Sequence, residues 1–151
     1  AIKRIKDQDF VFVVVGDGPY TEVYNQELKE EIAQKRVFVL GSRSDVKEIL
    51  KDSDVFLFTT LNENHSLALM EAVNMHCTVI ATNVGGNPEI IQGDETGLLI
   101  PKMDIDSIQK ALIKLKDKNL RTEFTEKAYD YCRSKFSEEN TYGKLDNIFS
   151  K

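Results

Sequence analysis

Five short apolar, β-branched runs recur along this chain, at 10–15, 36–40, 55–58, 77–82 and 97–100, with amphipathic stretches between them. A strand cannot pair in parallel with the next without a crossover, and a helix is the usual crossover. The alternation therefore predicts an α/β fold: a Rossmann-like, doubly wound parallel sheet. Phe10–Val15 is continuously apolar, which predicts a central strand buried on both faces. Residues 20–34 read as one helix with Val23, Leu28, Ile32 and Ala33 inward. Ser44 or Asp45 can cap a short helix through Leu50, and Asn87 can cap another with Pro88 at its first position. After residue 104 the pattern turns helical. One stripe is Ile105, Ile108, Ala111, Leu112 and Leu115; a second is Leu120, Phe124, Ala128 and Tyr131; a third is Tyr142, Leu145, Ile148 and Phe149.

With 151 residues, 41% of them apolar, the chain suffices for one domain with a full core. A net charge of −5 argues against nucleic acid as a partner. No apolar run approaches the ~18 residues of a membrane span, and no signal peptide is evident, so the cytoplasm is the default location. Cys77 and Cys132 form no CxxC and read as reduced structural residues. His65 and His76 make no helix-spaced metal pair. At the start, Ile2 and Ile5 lie at helical spacing, as in the last turns of a helix begun earlier. The chain thus reads as a piece of a longer polypeptide.

The chemistry concentrates in Asp54–Val73, where Glu63 and Glu71 bracket a strand-to-helix turn. Glu63 falls in the loop leaving the strand at 55–58, and Glu71 falls on the helix that begins near Ser66. Open α/β sheets bind ligands at the carboxyl ends of their strands. Carboxylates there can accept hydrogen bonds from sugar hydroxyls, and helix N–H groups can face phosphate. That combination suits a nucleotide sugar. A dinucleotide site fits less well. Gly16-Asp17-Gly18 follows the first strand, but Thr21 stands where the third glycine should be. The second strand also ends in Gly41 without the acidic residue that would bind ribose. No P-loop motif is present.

Five ordered segments carry a closer match: Val14–Pro19, Val37–Gly41, Glu63-x7-Glu71-Ala72, Val79–Glu89 and Thr96–Pro101. Together they resemble the C-terminal half of retaining glycosyltransferases of family 4, which have the GT-B fold. The resemblance covers about residues 10–149. It implies that residues 1–151 form a single nucleotide-sugar-binding domain, a fragment whose N-terminal acceptor domain is absent. Glu71 would then bind the ribose hydroxyls, and Glu63 would be the catalytic-site carboxylate beside the transferred sugar.

Asn64, His65, Ser66 and Leu67 would turn backbone N–H groups towards the diphosphate. Gly16 and Gly18 would let their loop approach the donor, or simply form a turn. Gly41, Ser42 and Arg43 would seat the base, with Arg43 either stacked on it or in solvent. Gly85 and Gly86 would serve the backbone of a cleft-facing loop. His65 can equally be a packing residue, and Glu89 reads as a helix-terminal carboxylate. The chain departs from the family pattern at Asn64, where glycine is usual, and at His76 and Thr78, where glycine and proline are common. A basic pair upstream of the first strand would clamp the diphosphate in the family; Lys3, Arg4 and Lys6 do not match it.

The resemblance further implies metal-independent, retaining transfer by front-face attack. No cofactor is called for. The donor would be a nucleotide-diphosphate sugar, UDP-hexose by base rate, and the acceptor a glycan or lipid-linked molecule of bacterial surface-polysaccharide synthesis. The fragment alone would be inactive. Its full-length parent would be cytoplasmic, or peripheral at the inner membrane face through the missing domain. A retaining glycosidase would need two carboxylates ~5 Å apart, and neither glutamate is assigned as nucleophile. Rival readings are a nucleotide-sugar epimerase or hydrolase, and a non-catalytic nucleotide-sugar-binding or interaction module.

Overall fold

The computed structural model describes residues 1–142 apart from Lys6 and Gln8; the stripe positions Leu145, Ile148 and Phe149 therefore lie outside the described residues. Parallel strands alternate with helices, in keeping with the α/β expectation. The chain forms two compact units, Ala1–Glu48 and Ile49–Lys151, and the ladders fall into one set in each.

In the first unit, β1 (Phe12–Val15) pairs in parallel with β2 (Val37–Gly41). The expected start in a helix is a single 3-10 turn, Ile2–Arg4. Arg36 fastens the segment after it by donating to the Ile5 carbonyl at 2.8 Å. The expected helix over 20–34 is two helices, α1 (Thr21–Glu27) and α2 (Lys29–Ala33), joined at Leu28. No glycine or proline marks that joint; Leu28 itself is the buried residue there. Val23, expected to face inward, is exposed.

Burial of β1 differs from expectation as well. Val13 is 44% exposed and its ladder partner Phe38 40% exposed. Helices α1 and α2 pack on β2, and alternate residues of a strand face opposite ways. Val37 is therefore buried while Phe38 and Leu40 lie open. A continuous apolar run told of two apolar faces, and only one of them is covered.

Helix α3 (Val46–Lys51) spans the boundary between the units. In the second unit β3 (Val55–Phe58), β4 (Thr78–Thr82) and β5 (Leu98–Ile100) pair in parallel in that order. β4 is central and buried at all five positions. Helices α4 (Leu67–Asn74), α6 (Ile105–Lys114) and α7 (Lys118–Lys135) all pack against it. The core is Leu69, Val73, Val79, Ile80, Ile90, Ile91 and Leu115. In α7 the buried stripe is Phe124, Ala128 and Cys132, with strict four-residue spacing. Tyr131 instead sits partly exposed and donates its hydroxyl to the Glu89 carbonyl at 3.1 Å. Asp104 and Asp117 cap α6 and α7 through their side chains.

One local feature explains a departure in the sequence, and a second corrects an expected cap. His76 has φ +55°, the left-handed conformation that glycine adopts freely. The N–H groups of His76 and Cys77 reach back to Val73 and Ala72, which closes α4 in a Schellman motif. The His76 ring stacks on Tyr129, centroids 4.5 Å apart. Asn87 does not cap the short helix α5 (Asn87–Ile90); Gly86 occupies that position. The Asn87 side chain is fully buried and turns back to donate to the Thr82 carbonyl at 2.9 Å.

Candidate functional site

The site builds outward from the carboxyl ends of β3 and β4. Past Phe58 the chain loops through 59–66 before α4 begins. Ser66 is the N-cap, and its side chain accepts from the Leu69 N–H at 3.3 Å. That capping uses the Ser66 hydroxyl, which is buried. The N–H groups of Leu67 and Ala68, in the first turn, have no acceptor within the helix. Leu67 is itself exposed.

Glu63 lies half-buried just ahead of this helix start, and its Oε1 accepts the N–H of Asn64 at 3.0 Å. Asn64 stays out of the left-handed region, so the turn is held by the Glu63 carboxylate rather than by an unusual φ. Glu71 lies exposed on α4, while Leu69, Ala72 and Val73 are buried. Unit 2 thus presents two accessible carboxylates, one just ahead of the α4 N-terminus and one in the second turn of the helix.

The loop after β4 interlocks with the Glu63 loop. A Cβ on Gly85 would overlap the Glu63 carbonyl, and one on Gly86 would overlap the Asn64 carbonyl. Gly85 also has φ +51°, so both space and conformation exclude a side chain there. The Gly86 N–H donates to the Glu63 carbonyl at 3.2 Å. These two glycines therefore bring backbone against backbone, more closely than the sequence reading anticipated. His65, left open between phosphate contact and packing, meets the Phe136 ring edge-on at 5.3 Å.

The first unit holds the other expected residues. Gly16 has φ +125°, and its N–H donates to the Gly41 carbonyl at 2.8 Å. Asp17 accepts the Ser42 N–H at 3.1 Å, which ties the loop after β1 to the loop after β2. Thr21 closes the turn at Gly18: it accepts that N–H at 3.2 Å and donates to the same residue's carbonyl at 3.0 Å. Gly18 has open space where a Cβ would be. Arg43 makes a forked pair with Asp45 at 2.8 and 2.6 Å. That hydrogen-bonded pair raises the Arg43 pKa and lowers that of Asp45. The Arg43 guanidinium is engaged within its own loop.

Sequence reasoning missed Thr60, Thr82 and Phe136. The Thr82 hydroxyl donates to the Thr60 carbonyl at 2.6 Å, and the Thr60 hydroxyl to the Asn62 carbonyl at 2.8 Å. Threonines at strand ends were the available signal. Phe136 had none, since 71 positions separate it from His65. Both cysteines are buried thiols, as expected, and burial pushes Cys77 up to about 12 and Cys132 to about 11. Among the described residues no helix is long and apolar enough to cross a membrane.

Residues 1–131 match the family model described as glycosyl transferases group 1. Over 111 residues, 72% of the chain, it is 39% identical to an Escherichia coli UDP-Gal:alpha-D-GlcNAc-diphosphoundecaprenol alpha-1,3-galactosyltransferase. The chain spans 28% of that enzyme's length. The crystal structure of the C-terminal domain of a Francisella tularensis glycosyl transferase group 1 family protein superposes with a TM-score of 0.76 at 30% identity, covering 91% of this chain and 76% of that one. A mutant of S. aureus TarM, in complex with fondaparinux, alpha-GlcNAc-glycerol and UDP, superposes with a TM-score of 0.85 at 21% identity. That likeness covers 99% of this chain and 31% of TarM, and it shows the fold: a Rossmann-like half of a GT-B architecture.

Proposed function

We propose a function from one established premise: this chain belongs to the glycosyl transferases group 1. Residues 1–151 are the donor-binding half of a longer hexosyltransferase that retains anomeric configuration. The observation that carries the reading is the stretch from Glu63 to Glu71, where two accessible carboxylates flank a helix start with open N–H groups. Glu71 accepts from the ribose hydroxyls, two oxygens facing two donors. Glu63 accepts from hydroxyls of the transferred sugar, and its charge favours the positive character that develops at the reacting carbon. The N–H groups of Leu67 and Ala68 face the diphosphate.

In unit 1 the Gly16–Gly18 and Gly41–Arg43 loops are assigned to nucleotide contacts through their backbone. The Arg43 side chain, paired with Asp45, is left out of that role. UDP-hexose is the donor favoured by this reading, because the E. coli relative is described as using UDP-Gal. A lipid-linked or glycan acceptor, selected by the other half of the protein, follows from the same relative's diphosphoundecaprenol substrate. We place this activity in the cytoplasm, in bacterial surface-polysaccharide assembly. An epimerase or hydrolase needs an acid–base group at this edge, where His65 meets the Phe136 ring edge-on and the two glutamates carry the roles given above.

Calorimetric titration of the full-length protein with UDP, GDP and ADP tests the proposal. One nucleotide, UDP, binds, and Glu71→Ala weakens it about tenfold or more, the worth of a charge-assisted hydrogen bond. Glu63→Gln leaves nucleotide affinity intact while transfer falls. Failure of all three nucleotides to bind overturns the reading.

A further inference from the structure

Thr82, the last residue of β4, and Asn87, the first of α5, are both buried polar residues with no contact to solvent that would account for them. We propose that they are positioning residues: they aim the Glu63 carboxylate at the transferred sugar by fixing the backbone of residues 60–64. The inference rests on the role given to Glu63 above.

Three carbonyls of the segment, those of Thr60, Asn62 and Glu63, are held by donors. Thr82 donates to Thr60, Thr60 donates to Asn62, and the Gly86 N–H donates to Glu63. The Glu63 side chain is held in turn, with Oε1 accepting the Asn64 N–H. Among the described residues nothing donates to Oε2, which leaves that oxygen for a ligand. A free loop of this length would sample many conformations, and its carboxylate would be aimed only part of the time. Here the loop is determined from β4, the strand buried at every position.

Asn87 argues for a positioning purpose over plain packing. Its Oδ1 is buried without a partner, and an orphaned acceptor costs stability. What the residue supplies in return is an N–H to the Thr82 carbonyl, which also receives the N–H of Val84 at 2.9 Å. That pair of bonds fixes the direction in which the chain leaves β4. The exit direction in turn sets Gly85 and Gly86 into the Glu63 loop, where a Cβ on either would overlap main chain. A leucine would fill the same space without the orphaned acceptor, but it could not set the exit.

The test is a mutant cycle in the full-length protein with UDP-, GDP- and ADP-glucose, UDP-galactose and UDP-N-acetylglucosamine as donors. Thr82→Val keeps the shape and removes the hydroxyl donor. We expect kcat to fall about ten- to a hundredfold, the scale of a small misplacement of a reacting group, with UDP affinity unchanged. Thr82→Ser restores the rate. In a Glu63→Gln background Thr82→Val costs little more, because the positioned group is already lost. Equal losses in both backgrounds, or an unchanged rate, overturn the proposal and leave Glu63 in its role. A Glu63→Gln enzyme as fast as the parent overturns the role of Glu63 itself, and with it the inference. Absence of turnover with every donor overturns the transferase reading. If Thr82→Val fails to fold, Asn87→Leu enters the same cycle with the same expectations.

Discussion

The strands Phe12–Val15 and Thr78–Thr82 are both short, parallel and rich in β-branched residues, yet only the second is buried at every position. The difference lies in their neighbours. Thr78–Thr82 has a ladder partner on each side and three helices packed on it. In its own unit Phe12–Val15 pairs with one strand, and alternate residues along that ladder remain open. The fixed strand is the one from which the Glu63 loop is held. In the other unit the glycine loops are tied by a few exposed contacts, such as Asp17 to Ser42. Local stability follows packing density, so the Glu63 loop, tied to the buried strand, should open less readily than the glycine loops of the first unit.

The sharpest way to break this comparison is to add one methyl group to a glycine of each unit. Gly85→Ala meets the Glu63 carbonyl and a left-handed φ together, and should cost about 3 kcal/mol or more. Gly18→Ala meets open space and should stay within about 0.5 kcal/mol of the parent. Denaturant unfolding measures both, and similar values for the two would erase the distinction.

A matched pair of valines comes next. Val79 is 1% exposed and Val13 44%. Val79→Ala should cost about 2–3 kcal/mol and Val13→Ala about 1 kcal/mol or less, in proportion to the apolar area each removes from water. An equal cost at the two sites would mean that the open face of the first unit is as tightly packed as the core of the second.

The smallest effect is one of pH and thiol chemistry. Both cysteines lie in the second unit, and burial raises Cys77 from 9.0 to about 12 and Cys132 to about 11. The folded state favours the neutral thiols. This stabilising contribution is fully present below pH 9.0 and is lost as pH rises towards 11–12. At about pH 8 both thiols should resist iodoacetamide in the native protein and react once it is unfolded. Fast native labelling, read by mass spectrometry, would show the second unit opening more readily than its packing allows.

Much of this was legible in the residues alone. The run Val55–Phe58 forms the strand expected, Ser66 caps the helix expected, and Glu63 and Glu71 fall on the loop and helix expected. Such features depend on neighbours a few residues away, and local chemistry specifies them. The exposed face of Phe12–Val15 was not legible, because an apolar run records what a strand can bury and not what covers it. Nor was the break at Leu28, where no residue of special backbone preference stands.

The order of strands and helices along the chain, the family, and the placing of Glu63 and Glu71 on a loop and the helix after it were determined by the sequence itself: periodicity and short motifs are properties of adjacent residues. Tertiary structure decided how the site is held. The overlap of Gly85 and Gly86 with the Glu63 loop, the bond from Thr82 to Thr60, and the ring of Phe136 against His65 join positions 22 to 71 residues apart. Such contacts leave no period in a sequence, because they exist only once the chain has brought those positions together.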